Sequence, residues 1–118
     1  MSPEQKEYLQ AKAMYEAVSE AVINDERSLP PITEGTSDVE LDRITEMIIN
    51  IQRKHGYSHA LDAFIEAKNN LLLWGQKELQ KHTLYANSKD ELDTLFTRCK
   101  YHPTIRNQLI DAIMKLSV

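Results

Sequence analysis

Cysteine occurs once in this chain, at Cys99. A single thiol excludes an intramolecular disulfide and a thiolate-rich zinc site, so folding needs no oxidising compartment. Three Gly and four Pro in 118 residues exclude collagen-like and low-complexity chains. Long hydrophobic runs are missing as well. The longest strictly aliphatic or aromatic run is the four residues Leu71 to Trp74, against roughly 20 for a membrane-spanning helix. The opening Met-Ser-Pro-Glu-Gln-Lys lacks an apolar signal core. Neither secretion nor membrane insertion is expected, and the cytoplasm is the expected location.

Basic charge is also scarce, with 14 Lys and Arg against 18 Asp and Glu and a net charge of −4. Nothing global therefore favours nucleic acid or anionic lipid. The balance is uneven along the chain. Residues 1 to 60 carry six basic and eleven acidic side chains, and residues 61 to 118 carry eight and seven. Phosphate-binding Gly-rich loops, a Gly-x-Ser-x-Gly elbow and the usual helical metal signatures are all absent from the sequence. An enzyme is left without support from the sequence, though not excluded by it, and no cofactor is expected. What is present is enough apolar material, 42% of residues, for one single-domain core without staples.

That apolar material repeats with helical period throughout, and start signals agree with it. Ser2, Pro3 and Gln5 form a capping box that opens a first helix ending near Asn24. Ser37 with Glu40 opens a second, which stops at Gly56 with Arg53, Lys54 and His55 suiting its negative end. Ser58 is placed to cap a third and longest helix, to about His82. Ser88 with Glu91 opens a short fourth to about Lys100, and Pro103 a fifth to about Leu116. Between the first two helices, Asp25 to Thr36 is irregular because Pro30 and Pro31 cannot continue a helix. Leu29 and Ile32 are its candidate anchors. The expected architecture is an all-α, five-helix compact bundle, with three long antiparallel helices plus a C-terminal helical hairpin.

Helical steps of 100° sort core from surface. The first helix gathers Tyr8, Ala11, Met14, Tyr15, Val18, Ala21 and Val22 on one stripe; the second gathers Leu41, Ile44, Met47, Ile48 and Ile51. The third is apolar over half its circumference, from Ala60, Leu61, Phe64 and Ile65 to Ala67, Leu71, Leu72, Trp74 and Leu79. Gly75 lies within that arc, where it costs about 1 kcal/mol relative to Ala and points to close approach of another helix, with a local kink as the competing explanation. Leu92, Leu95, Phe96 and Cys99 line the fourth helix; Ile105, Leu109, Ala112, Ile113 and Leu116 line the fifth. Left outside these stripes are Leu9, Ile23, Ile49, Leu73, Ile110 and Met114. Of these, Ile110, Met114, Leu73, Ile49 and Leu9 are the candidate interface residues of a homodimer or of a small subunit.

Three constellations invite chemistry. His59, Asp62 and Glu66 share one face of the third helix at metal-compatible spacing. That face is opposite the apolar stripe, so solvation is the plainer reading. Cys99 is flanked by Arg98 and Lys100 near His102, as a reactive thiol would need, yet it falls in the apolar stripe of its helix, where a thiol packs as a small hydrophobe. Arg98, Lys100, His102 and Arg106 form the one basic, aromatic-bearing segment, in a helix–turn–helix-like setting. Glu78 and His82 have the spacing of a helix-supporting pair, and Tyr8, Tyr15 and Trp74 are candidates to line an interhelical pocket.

The sequence thus points by elimination to a non-catalytic interaction or regulatory module, self-associating or part of a complex. The acidic residues around the Pro-Pro loop, from Asp25 and Glu26 through Glu34, Asp38, Glu40 and Asp42, would steer it toward a basic partner. The alternatives are a helical nucleic-acid binder using residues 98–106 and the fifth helix, and a bundle-type metal or small-molecule binder.

Overall fold

The computed structural model describes residues 1–81 and 86–117, and of residues 86–88 the backbone only. It is all-helical, with no strand among the described residues: α1 (Pro3–Glu26), α2 (Asp38–His55), α3 (Tyr57–Lys81), α4 (Ala86–Arg98) and α5 (Pro103–Met114). Among those residues no helix is long and apolar enough to cross a membrane. The chain gathers into two compact units, Met1–Gln10 with Ile65–Val118, and Ala11–Phe64.

The first unit is organised by one buried amide. Ser2 Oγ accepts from the Gln5 backbone N–H at 3.1 Å, and Gln5 Oε1 accepts from the Ser2 N–H at 2.8 Å. This is the reciprocal capping box expected from the sequence. Its partner does more than cap. Gln5 is fully buried, and its Nε2 donates to the carbonyls of Ile113 at 2.9 Å and Leu116 at 3.1 Å. Both carbonyls lie at the end of α5, where helices run out of backbone donors, and Ile113 O also accepts from the Leu116 N–H at 3.1 Å. One side chain therefore satisfies the start of α1 and the end of α5.

Gly75 is the second organiser. It is buried on α3, and a methyl group there would run into the Ile113 side chain, 2.8 Å from Cγ2 and nearer still to Cγ1 and Cδ1. The glycine thus lets α5 approach α3 closely, as its position on the apolar arc implied. Around this contact lie Ala67, Leu71, Phe96, Leu109 and Ile110 in the core. The α4 and α5 helices pack on one another. Gln76 and Gln80 of α3 both donate to Asp93 Oδ1 of α4, the first at 2.9 Å.

In the second unit, Val22, Ile44 and Ala60 are buried, and Tyr15 lies beside Phe64 and Tyr57 at centroid distances of 5.0 and 5.9 Å. Gly56 has φ +67° and ends α2, its N–H bonding back to Arg53 O at 3.1 Å. It also starts the next helix, since its carbonyl accepts from Ala60 N–H at 3.1 Å. Ser58 therefore lies exposed inside the first turn of α3 instead of capping it. A left-handed glycine turns the chain so sharply that no separate cap residue intervenes.

Other boundaries move by a turn or less: α1 runs on to Glu26, and α5 ends at Met114. The α4 helix opens at Ala86, ahead of Ser88, whose side chain lies outside the described residues. Of the two loop anchors, Leu29 is half-buried while Ile32 is 60% exposed. Met14, Met47 and Ile65, assigned to buried stripes, are exposed. Each sits at the edge of its arc, where one neighbouring helix covers only the centre.

Candidate interaction surface

The edge of α3 that carries Ile65, Leu72 and Leu73 forms one wall of an open groove. Phe96 of α4, Cys99 and Lys100 of the following turn and Arg106 of α5 form the other. The groove consists of two recesses of ≈ 330 and ≈ 410 Å³, which share Asn69, Leu72, Cys99 and Lys100. Its floor is apolar. Among the described residues that line it, the charged ones are Lys68, Lys100 and Arg106. Leu73 stands 60% exposed at one end.

Local structure fixes the cationic wall. His102 is the N-cap of α5 but makes no side-chain capping bond, and Pro103 follows in the first turn. Arg106 closes the α4–α5 turn instead. Its Nε donates to Cys99 O at 3.1 Å and its Nη2 to Lys100 O at 2.8 Å. The guanidinium thus satisfies carbonyls left over at the end of α4 and holds Lys100 at the rim. Cys99 Sγ donates to Phe96 O at 3.0 Å and is buried, which is packing and not nucleophilic display.

The residues singled out from sequence separate in space. Of the five interface candidates, Leu73 lines the groove; Leu9 and Ile49 are exposed but line neither recess of it. Ile110 is only 4% exposed, and Met114 is half-buried. The apolar arc of α5 is wide because the chain itself covers more than one of its sides, so Ile110 offers no free surface. Ile65, Leu72 and Lys68 were not singled out as surface. The available signal was the position of both aliphatics at the far edge of the α3 arc, next to a lysine.

Of the basic segment, Arg98, Lys100 and His102 are exposed, while Arg106 is committed to the turn. His59, Asp62 and Glu66 are all exposed, and among the described residues no group of three His, Cys, Asp or Glu is arranged to hold a metal ion. Glu78 pairs with Lys81 at 2.8 Å, and its expected partner His82 lies outside the described residues. Trp74 lines a recess with Glu4, Glu7 and Lys77, which includes neither Tyr8 nor Tyr15.

Two electrostatic features belong to the second unit. Asp25 Oδ2 accepts from His55 Nε2 at 2.6 Å and from Lys54 Nζ at 3.3 Å, and the His55 bond foremost holds the Asp25 carboxyl below its ordinary range. Tyr57 and Tyr15 hydroxyls lie 3.3 Å apart, and that hydrogen bond raises the Tyr57 phenol above its ordinary value. Asp25 lines an open recess with Ser28, Leu29, Met47, Asn50, Ile51 and Lys54, which holds no second acid among the described residues. Compared with protein-family models, with curated proteins and with solved structures, the chain matches none.

Proposed function

We propose that this chain is a non-catalytic protein-interaction module that docks its partner in the groove between α3 and the α4–α5 turn. One observation carries the reading: an open groove with an aliphatic and aromatic lining, Ile65, Leu72, Leu73 and Phe96, and with exposed Lys100 at its rim. Interaction sites combine a desolvated apolar centre with a charged rim that sets orientation and partner choice. Lys100 at the rim favours a partner with an acidic group there. Burial of Cys99, exposure of His59, Asp62 and Glu66, and engagement of Arg106 with backbone carbonyls argue against giving these residues a chemical task.

Site-specific photo-crosslinking tests this reading. A photoreactive side chain at Leu73 is expected to trap a discrete protein in cells that make this chain, and the same group at exposed Glu20 is not. Absence of any adduct at Leu73 and at Ile65 overturns the reading. Trapping of nucleic acid there would replace it with the nucleic-acid alternative centred on residues 98–106.

A further inference from the structure

Resting on that docking reading, we infer that the partner is a second copy of this chain, which lays its own α3 antiparallel along the exposed edge of α3 at Ile65, Asn69 and Leu73. The first support is area. The chain exposes 8502 Å², whereas a folded monomer of 13.6 kDa exposes about 6,600 Å². The excess does not come from the division into two units, because even two separate globules of those sizes would together expose only about 7,900 Å². A dimer contact of ordinary size covers about 800 Å² of each partner, so a second copy accounts for surface that one chain leaves uncovered.

The second support is the order of residues along the edge. Ile65, Asn69, Leu73 and Lys77 follow one another at intervals of four on α3, and all are exposed, Ile65 by 45%. Residues at that interval form one ridge of a helix surface. The ridge is symmetric about Asn69, with an aliphatic residue one turn to either side. Two copies related by a two-fold axis at Asn69 therefore set each Ile65 against the partner's Leu73, which covers both, and set Asn69 against its own copy. An amide carries a donor and an acceptor, so such a pair satisfies itself. Closed two-fold contacts of this self-complementary kind are the commonest among soluble oligomers.

Charge fixes the direction. Exposed Asp62 and Glu66 lie toward the start of that edge, and exposed Lys77 lies toward its end. Neither Asp62 nor Lys77 makes an ion pair among the described residues, although Lys77 lines a recess with Glu4 and Glu7. An antiparallel pair about Asn69 brings each Lys77 beside the partner's Asp62. A parallel pair would set like charges together, which is penalised.

The test combines cross-linking with sedimentation velocity on the full chain. Wild-type protein is expected to form a dimer. Under mild oxidation, Asn69→Cys should link to itself, and Ile65→Cys should link to Leu73→Cys when the two are mixed but not to itself; the native Cys99 is buried and takes no part. Asp62→Lys and Lys77→Asp should each weaken the dimer about tenfold, since each disturbs two symmetric pairs, and Asp62→Lys/Lys77→Asp together should restore it. A misfolded variant would not be restored in this way. Wild-type protein that stays monomeric at about millimolar concentration, or Ile65→Cys that links to itself as readily as to Leu73→Cys, overturns the inference. If a photoreactive group at Leu73 captures this chain itself in cells, both readings gain. If the chain stays monomeric while that group captures a different protein, the docking reading stands and the second copy falls. If it captures nothing, both fall.

Discussion

Gln5 and Ile113 are joined by a 2.9 Å hydrogen bond across 108 positions of sequence, between a side-chain amide near the start of the chain and a carbonyl near its end. The same amide nitrogen reaches Leu116 O, and its oxygen takes the Ser2 N–H. Removing it leaves the buried Ser2 N–H without its acceptor and takes the side-chain donor from both carbonyls, of which Ile113 O keeps the Leu116 N–H. Gln5→Ala is therefore expected to cost about 1–3 kcal/mol, more than an ordinary cap loss. Gln5→Glu should be no rescue, since a carboxylate presents no donor to the two carbonyls. Urea unfolding of the two variants against wild type measures the difference as a lowered midpoint.

At Gly75 two effects compete. Alanine would gain about 1 kcal/mol in helix propensity, yet its methyl group would overlap Ile113, and overpacking of that kind costs typically 1–3 kcal/mol. Gly75→Ala is thus expected to destabilise the protein. Shortening the opposing side chain should relieve it, so Gly75→Ala/Ile113→Ala should be less unstable than the two single losses added together. A double-mutant cycle from thermal or urea unfolding checks the sign of that coupling.

These two contacts show what was legible in the sequence and what was not. The capping pair Ser2 and Gln5 and the close approach at Gly75 follow from local spacing and from the cost of glycine in a helix, and both stand in the structure. The reach of the Gln5 amide to α5 is a contact between residues far apart in sequence, for which periodicity gives no signal. The same division holds at the groove. Leu73 was readable because it lies outside its stripe, whereas Ile65 and Leu72 lie at a stripe edge, where exposure depends on how far the neighbouring helix extends. Ile110 fails in the opposite sense: its helix is covered from more sides than one stripe requires. The role of Arg106 was hidden because a basic side chain beside a turn reads equally as a phosphate contact or as a clamp on carbonyls.

Asp25 ties the end of α1 to the end of α2 through His55 and Lys54. Its carboxyl is held below the ordinary value of 3.8, mainly by the His55 hydrogen bond. A depressed folded-state value means that the contribution to stability is fully present above the unfolded value and is lost as pH falls through the lowered one. The expected signature is a carboxyl carbon resonance of Asp25 that titrates below 3.8, returning toward the ordinary range in His55→Ala. Asp25→Asn should also flatten this part of the acid-unfolding curve while leaving stability near neutrality only modestly changed, because the pair is partly exposed and screened.

Tyr57 gives the corresponding behaviour at alkaline pH. Its hydroxyl lies 3.3 Å from that of Tyr15, and this bond, ahead of desolvation and the charge on Glu26, raises its ionisation above 10.0. For an acid whose folded-state value is raised, the stabilisation is complete below the unfolded value and disappears as pH climbs through the folded one. Tyrosinate absorbance of the native protein should therefore show a late-titrating component that Tyr57→Phe removes. Tyr15→Phe should shift that component toward the ordinary phenol range without abolishing it, since the ring contact with Phe64 at 5.0 Å does not depend on the hydroxyl. A Tyr57 that titrates with the exposed tyrosines in wild-type protein would show that the hydroxyl pair is not held in solution.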